Sequence, residues 1–223
     1  LLDKTNIDQM QKRGFVLEND FIFRADKHDE GEKLILGKTF DGKTGYQEGM
    51  DVLDLLSRQK ATAKFISKKL ATRFVSDKPS DALVQKMADR FLKTDGNIKE
   101  VLLTMVESVE FWQSDALREK IKSPFELVIS AVTSTNADLK QPFQVFNWCS
   151  RMGQRFYYYQ APTGFPDKAS FCINTGSLLN RMNFGLAFAN GKIPGISVNL
   201  LALNQNHEPE SAEAALTTYS QLL

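Results

Sequence analysis

The order of apolar and polar residues changes once along this chain, near residue 47. Before that point, two short apolar runs, Phe21–Phe23 and residues 34–36, are joined by a polar stretch that contains the turn residue Gly31. This pattern predicts one β-hairpin. From residue 47 onward, apolar residues recur at the three- and four-residue spacing of amphipathic helices.

Helix boundaries are marked by capping residues. Ser123-Pro124-Phe125-Glu126 combines a capping box with a proline at the first helical position, Ser80 is a suitable N-cap, and Asn190-Gly191 is a suitable C-cap. The spacing predicts helices over about 50–56, 61–74, 80–91, 98–106, 123–132, 145–152 and 177–189, and a sparsely apolar one over 210–223. We therefore predict a mainly α fold: one irregular multi-helix domain with a small N-terminal β-hairpin at about 14–45, a helical core at about 47–191 and a weakly patterned tail at 192–223.

The segment 61–74 has a clear division of faces. Its large apolar residues are predicted to face the core: Phe65, Ile66, Leu70 and Phe74. Its basic residues form a stripe that could contact an anion, although a solvated helix face is the favoured interpretation: Lys64, Lys68, Lys69 and Arg73.

Composition excludes some function classes. The chain has 223 residues, with 28 basic and 27 acidic side chains and a formal charge of +1. This near-balance argues against a dedicated nucleic-acid binder, whose affinity comes from clustered cations. No run of eighteen apolar residues occurs, so no transmembrane segment is expected. The chain begins at Leu1 rather than Met and ends at Leu223 within a helical pattern, which leads us to expect a piece of a longer protein.

The two cysteines, Cys149 and Cys172, flank a loop-like stretch at residues 156–166. They lack C-x-x-C spacing and are too few for a zinc site. Two buried thiols are the favoured interpretation, because free cysteine behaves as a small core residue. A disulfide that closes the loop is the alternative, and it would imply an exported protein.

Candidate chemistry is densest around His28-Asp29, followed by Lys33. An adjacent His-Asp pair occurs in metal phosphohydrolases, but such a site needs three or four ligands and the other histidine here is His207, in the tail. We therefore expect no metal and no cofactor. The favoured role of His28 and Asp29 is to bond backbone groups and fix the turn.

Arg181 lies in an apolar helical segment, where an unpaired buried guanidinium would be very unfavourable. We predict that it is largely buried and bonds a carboxylate, with Asp167 as first choice and Asp29 as second. A clamp between loop and helix is favoured over ligand capture.

Tyr158 is the strongest ligand-binding candidate. Tyr157, Tyr158 and Tyr159 cannot all bury on one face, so at least one is expected to face solvent, where it could stack on a sugar ring or a partner surface. Packing within the protein is the alternative. Nucleophile and phosphate-loop motifs are absent from the sequence, and a general acid/base pair among the 27 acids stays open.

Together these motifs resemble the bacterial family catalogued as domain of unknown function 1800, over about residues 14–191. In chain order they are Phe23-x4-His28-Asp29-x-Gly31-x-Lys33-x2-Leu36-Gly37, Ala61-Thr62-Ala63-x-Phe65-Ile66, Lys69-Leu70, Phe74-Val75, Glu110-Phe111-Trp112, Lys122-Ser123-Pro124-Phe125-Glu126-Leu127-Val128, Gly153-Gln154, Pro162-x-Gly164-Phe165-Pro166-Asp167 and Arg181-x-Asn183-Phe184. Gln59-Lys60 stands where the family usually has His-Pro, and Phe165 where tyrosine is commoner, which weakens any role for a histidine at 59.

The resemblance implies a long, mainly helical parent protein whose N-terminal half this chain lacks. Many members look exported and are encoded beside a secreted sulfatase-like family, and no activity is assigned to them. We expect a periplasmic or extracellular, non-catalytic binding or assembly domain of an exported bacterial protein, whose partner is a secreted sulfatase-like protein or a polysaccharide. The competing expectation is a hydrolase whose active site is shared with the missing N-terminal half.

Two arrangements would distinguish these expectations. A pocket that joins His28, Asp29, Lys33 and Arg181 would favour the hydrolase, and a flat aromatic patch would favour binding. The candidate ligand-binding residues are His28, Asp29, Lys33, Tyr158, Asp167 and Arg181.

Overall fold

The computed structural model describes residues 4–113, 116 and 119–222. Leu1 and Leu223, on which the expectation of a longer parent protein rests, lie outside the described residues. Backbone contacts divide the chain into two compact units: a first unit, Leu1–Lys68 with Asp81–Val106, and a second unit, Lys69–Ser80 with Glu107–Leu223. The described part contains eleven helices and 54% helix, so the mainly α prediction is confirmed.

The first unit begins with α1 (Lys4–Lys12), which is followed by four short strands. β1 (Val16–Glu18) pairs antiparallel with β2 (Phe21–Phe23), and β3 (Lys33–Ile35) pairs antiparallel with β4 (Lys38–Phe40). β-Structure near the N-terminus is thus confirmed, but the expected pairing of the two apolar runs with each other is wrong.

Each apolar run instead pairs with its own sequence neighbour across a two-residue turn. Leu36 and Gly37, between β3 and β4, have φ values of 50° and 80°, as a type I′ hairpin turn requires. Such a turn closes a smaller loop than the polar stretch at residues 24–32 would, so it loses less chain entropy.

The helices of the first unit are α2 (Tyr46–Ser57), the first nine residues of α3 (Lys60–Phe74), α4 (Asp81–Lys93) and α5 (Ile98–Val106). The core side chains of α4 and α5 follow helical spacing and are buried: Leu83, Val84, Met87, Ala88, Phe91, Val101 and Met105. Asp95 and Gly96 adopt positive φ after α4, and the Gly96 N–H donates to the Phe91 carbonyl oxygen at 2.9 Å, so the helix ends there.

The buried face of α3 differs from the predicted one. Phe65 and Phe74 are 59% and 52% exposed, whereas Ala63, Ser67 and Ala71 are completely buried. The buried face of α3 is therefore a stripe of small residues at four-residue spacing. The large aromatic side chains lie on the more exposed side of the helix.

The second unit contains α6 (Pro124–Ser134), α7 (Phe143–Arg151), α8 (Ala169–Cys172), α9 (Thr175–Ala189), α10 (Leu200–Leu203) and α11 (Ala212–Leu222), with β5 (Asp138–Leu139) paired antiparallel to β6 (Ile196–Ser197). Its core consists of buried side chains from α6, α7 and its C-cap residue, α9, β6 and the segment before β6: Val128, Val132, Val145, Cys149, Met152, Phe184, Ile193 and Ile196. No helix in the described ranges is long and apolar enough to cross a membrane.

Two local predictions in this unit are confirmed. The Ser123 hydroxyl accepts from the Glu126 N–H, and a Glu126 carboxylate oxygen accepts from the Ser123 N–H at 2.8 Å, which completes the predicted capping box. Cys149 and Cys172 are both buried and unpaired, as the favoured interpretation expected. Burial raises the pKa of the Cys149 thiol from 9.0 to about 11, so the thiol stays protonated at neutral pH.

Candidate functional site

Glu48, the third residue of α2, gathers the predicted side chains of the first unit. Its Oε2 lies 3.0 Å from His28 Nε2, and Lys33 Nζ lies 3.1 Å from Oε1 and 3.3 Å from Oε2. We call His28, Lys33 and Glu48 the buried cluster, because the glutamate is only 3% exposed. Such a carboxylate is stable only when it is paired.

The loop between β2 and β3 is held by its own side chains. His28 Nε2 also lies 3.1 Å from the Gly42 carbonyl oxygen, and Asp29 Oδ1 accepts from the Gly31 N–H at 2.9 Å. Because both neighbours of His28 Nε2 are acceptors, this nitrogen carries a proton. The predicted backbone bonds of His28 and Asp29 are therefore confirmed.

All three N–H groups of the Lys33 ammonium donate hydrogen bonds. Its ammonium group donates to the carbonyl oxygens of Asp29 and Gly31 and to Glu48 Oε2. An ammonium has three N–H groups, so none is aligned on Glu48 Oε1, which is buried without a hydrogen bond although Lys33 is close.

A groove of about 670 Å³ lies beside the buried cluster. His28, Lys33 and Glu48 form its polar part, and its other walls come from both hairpins and α2: Glu18, Phe21, Phe23, Ile35, Gly45, Tyr46, Gly49, Met50, Val52 and Leu53. An apolar groove with a few converging polar groups is the usual form of a small-molecule site.

A smaller cleft, of about 210 Å³, lies within the second unit. Three of the motifs that carry the family resemblance meet in it, namely residues 123–126, Gly153-Gln154 and residues 165–167. Arg73, from the end of α3, completes it by bonding Glu126 Oε1 and by lying 3.3 Å from Asp167 Oδ1. We call Arg73, Glu126 and Asp167 the cleft cluster. Arg73 was predicted to lie on a solvated face, so this pairing corrects that interpretation.

Hydrogen bonds keep Glu126 ionised. Burial alone would raise the pKa of this carboxyl, but bonds from the Ser123 N–H and the Arg73 guanidinium outweigh burial and lower the pKa below 4.5. Both carboxylate oxygens are thereby occupied.

Asp77 and Lys120 form an ion pair that bonds the backbone next to the cleft, at Asp167 and Ala169. Lys120 Nζ bonds Asp77 Oδ1 and the Asp167 carbonyl oxygen, and Asp77 Oδ2 accepts from the Ala169 N–H at 2.6 Å. Burial would raise the pKa of Asp77, but these bonds lower it below 3.8. No local pattern predicts this pair, because 43 residues separate its members.

Arg181 does not make the predicted pair. Its Nη2 donates to the Lys122 carbonyl oxygen at 2.9 Å, its Nε is buried without a hydrogen bond, and among the described residues no carboxylate forms an ion pair with it. Asp167 instead binds Arg73, and Asp29 belongs to the other unit. The Lys122 carbonyl oxygen, just before α6, thus takes the place of the predicted carboxylate as a partner of the guanidinium.

The charge of Arg181 acts on Cys172. Burial raises the pKa of this thiol above 9.0, and the guanidinium opposes that rise without reversing it. Cys172 therefore stays a protonated thiol at neutral pH, which is the unreactive form.

The loop at residues 156–166, the aromatic loop, turns two tyrosines outward. Tyr157 is fully exposed, and Tyr158 is 64% exposed with the Arg155 guanidinium 3.6 Å from its ring centroid. Phe156 packs on Phe125 and Tyr159 packs on Phe165, at centroid distances of 5.4 and 4.7 Å. The prediction that at least one tyrosine faces solvent is confirmed.

The structure thus separates the six predicted residues. His28 and Asp29, in the loop before β3, and Lys33, the first residue of β3, belong to the first unit, whereas Tyr158, Asp167 and Arg181 belong to the second unit. Within the part of the chain that the structure describes, no three histidine, cysteine or carboxylate side chains come together as a metal-ligand set. Sequence reasoning did not single out Glu48 at all. It also did not predict that Arg73 and Glu126 pair with each other.

Sequence comparison adds one match. The model of a family described as "Protein of unknown function (DUF1800)" matches residues 6–223, which extends beyond the motifs at both ends. No curated protein and no solved structure matches the chain.

Proposed function

The chain belongs to the DUF1800 family, and we propose that it is a non-catalytic binding or assembly domain of an exported bacterial protein that contacts polysaccharide. The observation that carries this proposal is the exposed pair Tyr157 and Tyr158 of the aromatic loop, whose residues Phe165 and Pro166 line the cleft. Flat aromatic rings stack on the apolar faces of sugar rings.

The state of the cleft supports binding rather than catalysis. Both oxygens of Glu126 are bonded, and its lowered pKa makes it a poor general acid at neutral pH. Cys172, also in the cleft lining, is held as a thiol by burial and so is a poor nucleophile. The ionisable groups thus stabilise one another and shape the cleft.

The aromatic loop is built to keep its tyrosines in place. Phe156 packs on Phe125 and Tyr159 packs on Phe171, and both partners lie outside the loop and in the cleft lining, so the loop is anchored at two points. Arg155 covers one face of the Tyr158 ring, and the side chain is still 64% exposed. A preorganised platform loses little conformational entropy when it binds.

The test is electrophoresis of the chain in gels that contain soluble neutral polysaccharides, followed by calorimetry with oligosaccharides of any that retard it. We expect retardation of the native chain and a loss of about fivefold in affinity for Tyr158→Ala, because one stacked ring contributes about 1 kcal/mol. Phe21→Ala is the matched control, because Phe21 is also an exposed aromatic residue (53%) but lies in the first unit. Equal binding by the native chain and Tyr158→Ala would contradict the proposal.

A hydrolase is the second candidate function, and the buried cluster is the observation that favours it. In this proposal Glu48 orients His28 through Nε2–H, which leaves Nδ1 as a general base at the edge of the apolar groove, and a missing N-terminal half supplies the rest of the site. His28→Gln should then abolish hydrolysis of chromogenic glycosides or esters by the parent protein while Tyr158→Ala leaves it intact. The reverse pattern would count against this candidate.

A further inference from the structure

The groove of the first unit has an aromatic wall. The ring centroid of Tyr46 lies 6.2 Å from that of Phe21 and 5.9 Å from that of Phe23. Phe21 and Phe23 are two residues apart on β2, so they project from the same face of the hairpin that β1 and β2 form. All three rings line the groove, and Phe21 is 53% exposed. Rings in this position attract organic cations, because the face of an aromatic ring is its negative side.

A carboxylate borders these rings. Glu18 is the cross-strand partner of Phe21, which places the two side chains on the same face of the hairpin. Glu18 Oε2 accepts from the Tyr46 hydroxyl at 2.8 Å, whereas Glu18 Oε1 has no hydrogen-bond donor among the residues that the structure describes. We call Glu18, Phe21, Phe23 and Tyr46 the groove corner. It combines a negative charge with three aromatic rings.

The polar side chains of the groove lining have acceptors to offer, and their donors are already used. The bond to Glu18 raises the pKa of the Tyr46 hydroxyl above 10.0, so this group keeps its proton at neutral pH and donates it to Glu18. The three N–H groups of Lys33 and the Nε2–H of His28 are bonded to Glu48 and to backbone oxygens. One oxygen each of Glu18 and Glu48 lacks a hydrogen bond within the described part of the chain. With two carboxylates against one ammonium, the lining calls for a ligand that is positively charged and donates hydrogen bonds.

We propose that this groove binds a small organic cation, with an ammonium group at the groove corner and an apolar body along the rest of the groove. The remaining walls suit such a body, because they are mainly aliphatic: Ile35, Met50, Val52 and Leu53. The volume of about 670 Å³ is in the range of small-molecule sites. A ligand carboxylate would meet like charge and find no spare side-chain donor. This site belongs to the first unit, so it is separate from the exposed tyrosines of the second, and it requires no catalytic step.

The first test is an NMR chemical-shift titration of the 223-residue chain with three ligands of equal chain length, namely hexylammonium, hexanol and hexanoate. We expect hexylammonium to bind about tenfold more tightly than hexanol, because the rings and the Glu18 carboxylate each contribute a factor of about three. Hexanoate should bind more weakly than hexanol. No measurable binding of hexylammonium, equal affinity for hexylammonium and hexanol, or tighter binding of hexanoate would each overturn the proposal.

The second test locates the cation. Glu18→Gln removes the charge of the groove corner and keeps an acceptor for the Tyr46 hydroxyl, so it should lower the affinity for hexylammonium about threefold and leave that for hexanol unchanged. Phe21→Leu removes a ring, keeps an apolar side chain and should have the same effect. Glu32→Gln is the matched control, because Glu32 is an exposed carboxylate of the same unit outside the groove lining. Circular dichroism establishes that the variants fold. Equal losses in Glu18→Gln and Glu32→Gln would show that the overall charge attracts the cation, and would overturn the assignment to the groove corner.

Discussion

The two units place a glutamate at the same helical position and use it differently. Glu48 is the third residue of α2 and Glu126 the third residue of α6. Ser123 precedes α6 as a side-chain cap, so Glu126 bonds its own helix start and then Arg73. Gly45 precedes α2 and has no side chain to offer, and Glu48 points to His28 and Lys33 instead. The same helical position thus stabilises the start of its own helix in one unit and a loop distant in sequence in the other.

The two environments differ in the consequence of losing a partner. The Glu126 side chain is 34% exposed, and water can replace a lost bond. The Glu48 side chain is 4% exposed, and its Oε1 already lacks an aligned donor. Breaking a buried pair strands a charge, whereas an exposed pair contributes little. The buried cluster should therefore dominate the stability of its unit.

The largest expected effect is that of removing one member of the buried cluster. Glu48→Ala should lower the free energy of unfolding by about 3 kcal/mol, because it leaves Lys33 facing a cavity without its carboxylate. Lys33→Met should restore part of that loss when it is added to Glu48→Ala. Urea denaturation of the two single variants and the double variant measures both effects. Additive losses would show that the two residues are independent and would remove the basis of the comparison.

The second-largest loss of stability is expected at Gly42, whose carbonyl oxygen bonds His28. Gly42 has a φ of 74°, and a Cβ there would approach the carbonyl oxygens of Glu30 and Gly31 to 2.4 and 2.6 Å. Gly42→Ala should therefore destabilise the protein by about 2 kcal/mol, through both the strained φ and the clash.

Gly49→Ala is its matched control in the same unit. Gly49 lies inside α2, and an added Cβ there meets no atom within 4 Å. Alanine has a better helix propensity than glycine, so this variant should gain roughly 0.5–1 kcal/mol. Thermal unfolding compares the two variants, and a similar loss in both would argue against a specific clash at residue 42.

Disrupting the cleft cluster should lower the free energy of unfolding by a smaller amount, and this loss should depend on pH. The pKa of Glu126 is lowered in the folded state, so its ionised form stabilises the protein fully above pH 4.5, and this contribution is lost as the pH falls through the folded value. Arg73→Met should reduce stability at neutral pH by about 1 kcal/mol, because the pair is partly exposed. It should also make the acid loss of stability shallower. A parallel shift of the whole pH profile would mean that Arg73 does not act through Glu126.

Local signals were predictable from the sequence, and long-range pairings were not. The capping box at Ser123 and Glu126 depends on four adjacent residues, and the exposure of Tyr158 follows from three consecutive tyrosines. Glu48 lies 15 residues from Lys33, at a spacing that no local pattern encodes. The sequence therefore predicts that residues 28–33 form a structured segment. It does not predict that Glu48 is the side chain that pairs with His28 and Lys33.

Hydrophobicity alone also misplaced the buried face of α3. The pattern put Phe65 and Phe74 in the core because they are large and apolar, but close packing selected Ala63, Ser67 and Ala71. Packing with residues distant in sequence decides which face of a helix is buried, and the spacing of apolar residues alone does not encode it. The same limit applies to the hairpins, where two-residue turns prevailed over the more obvious pairing of apolar runs.

The smallest expected effect is the coupling energy between Asp167 and its arginine partner, and it distinguishes Arg73 from Arg181. Arg73 Nη1 lies 3.3 Å from Asp167 Oδ1, whereas Arg181 bonds the Lys122 carbonyl oxygen. In double-mutant cycles, Arg73→Met with Asp167→Asn should show a coupling energy of about 0.5 kcal/mol, because both side chains are about two-fifths exposed. Arg181→Met with Asp167→Asn should be additive, since the structure shows no bond between the two side chains. Measurable coupling only in the second cycle would restore the clamp predicted from the sequence and would return Arg73 to a solvated helix face.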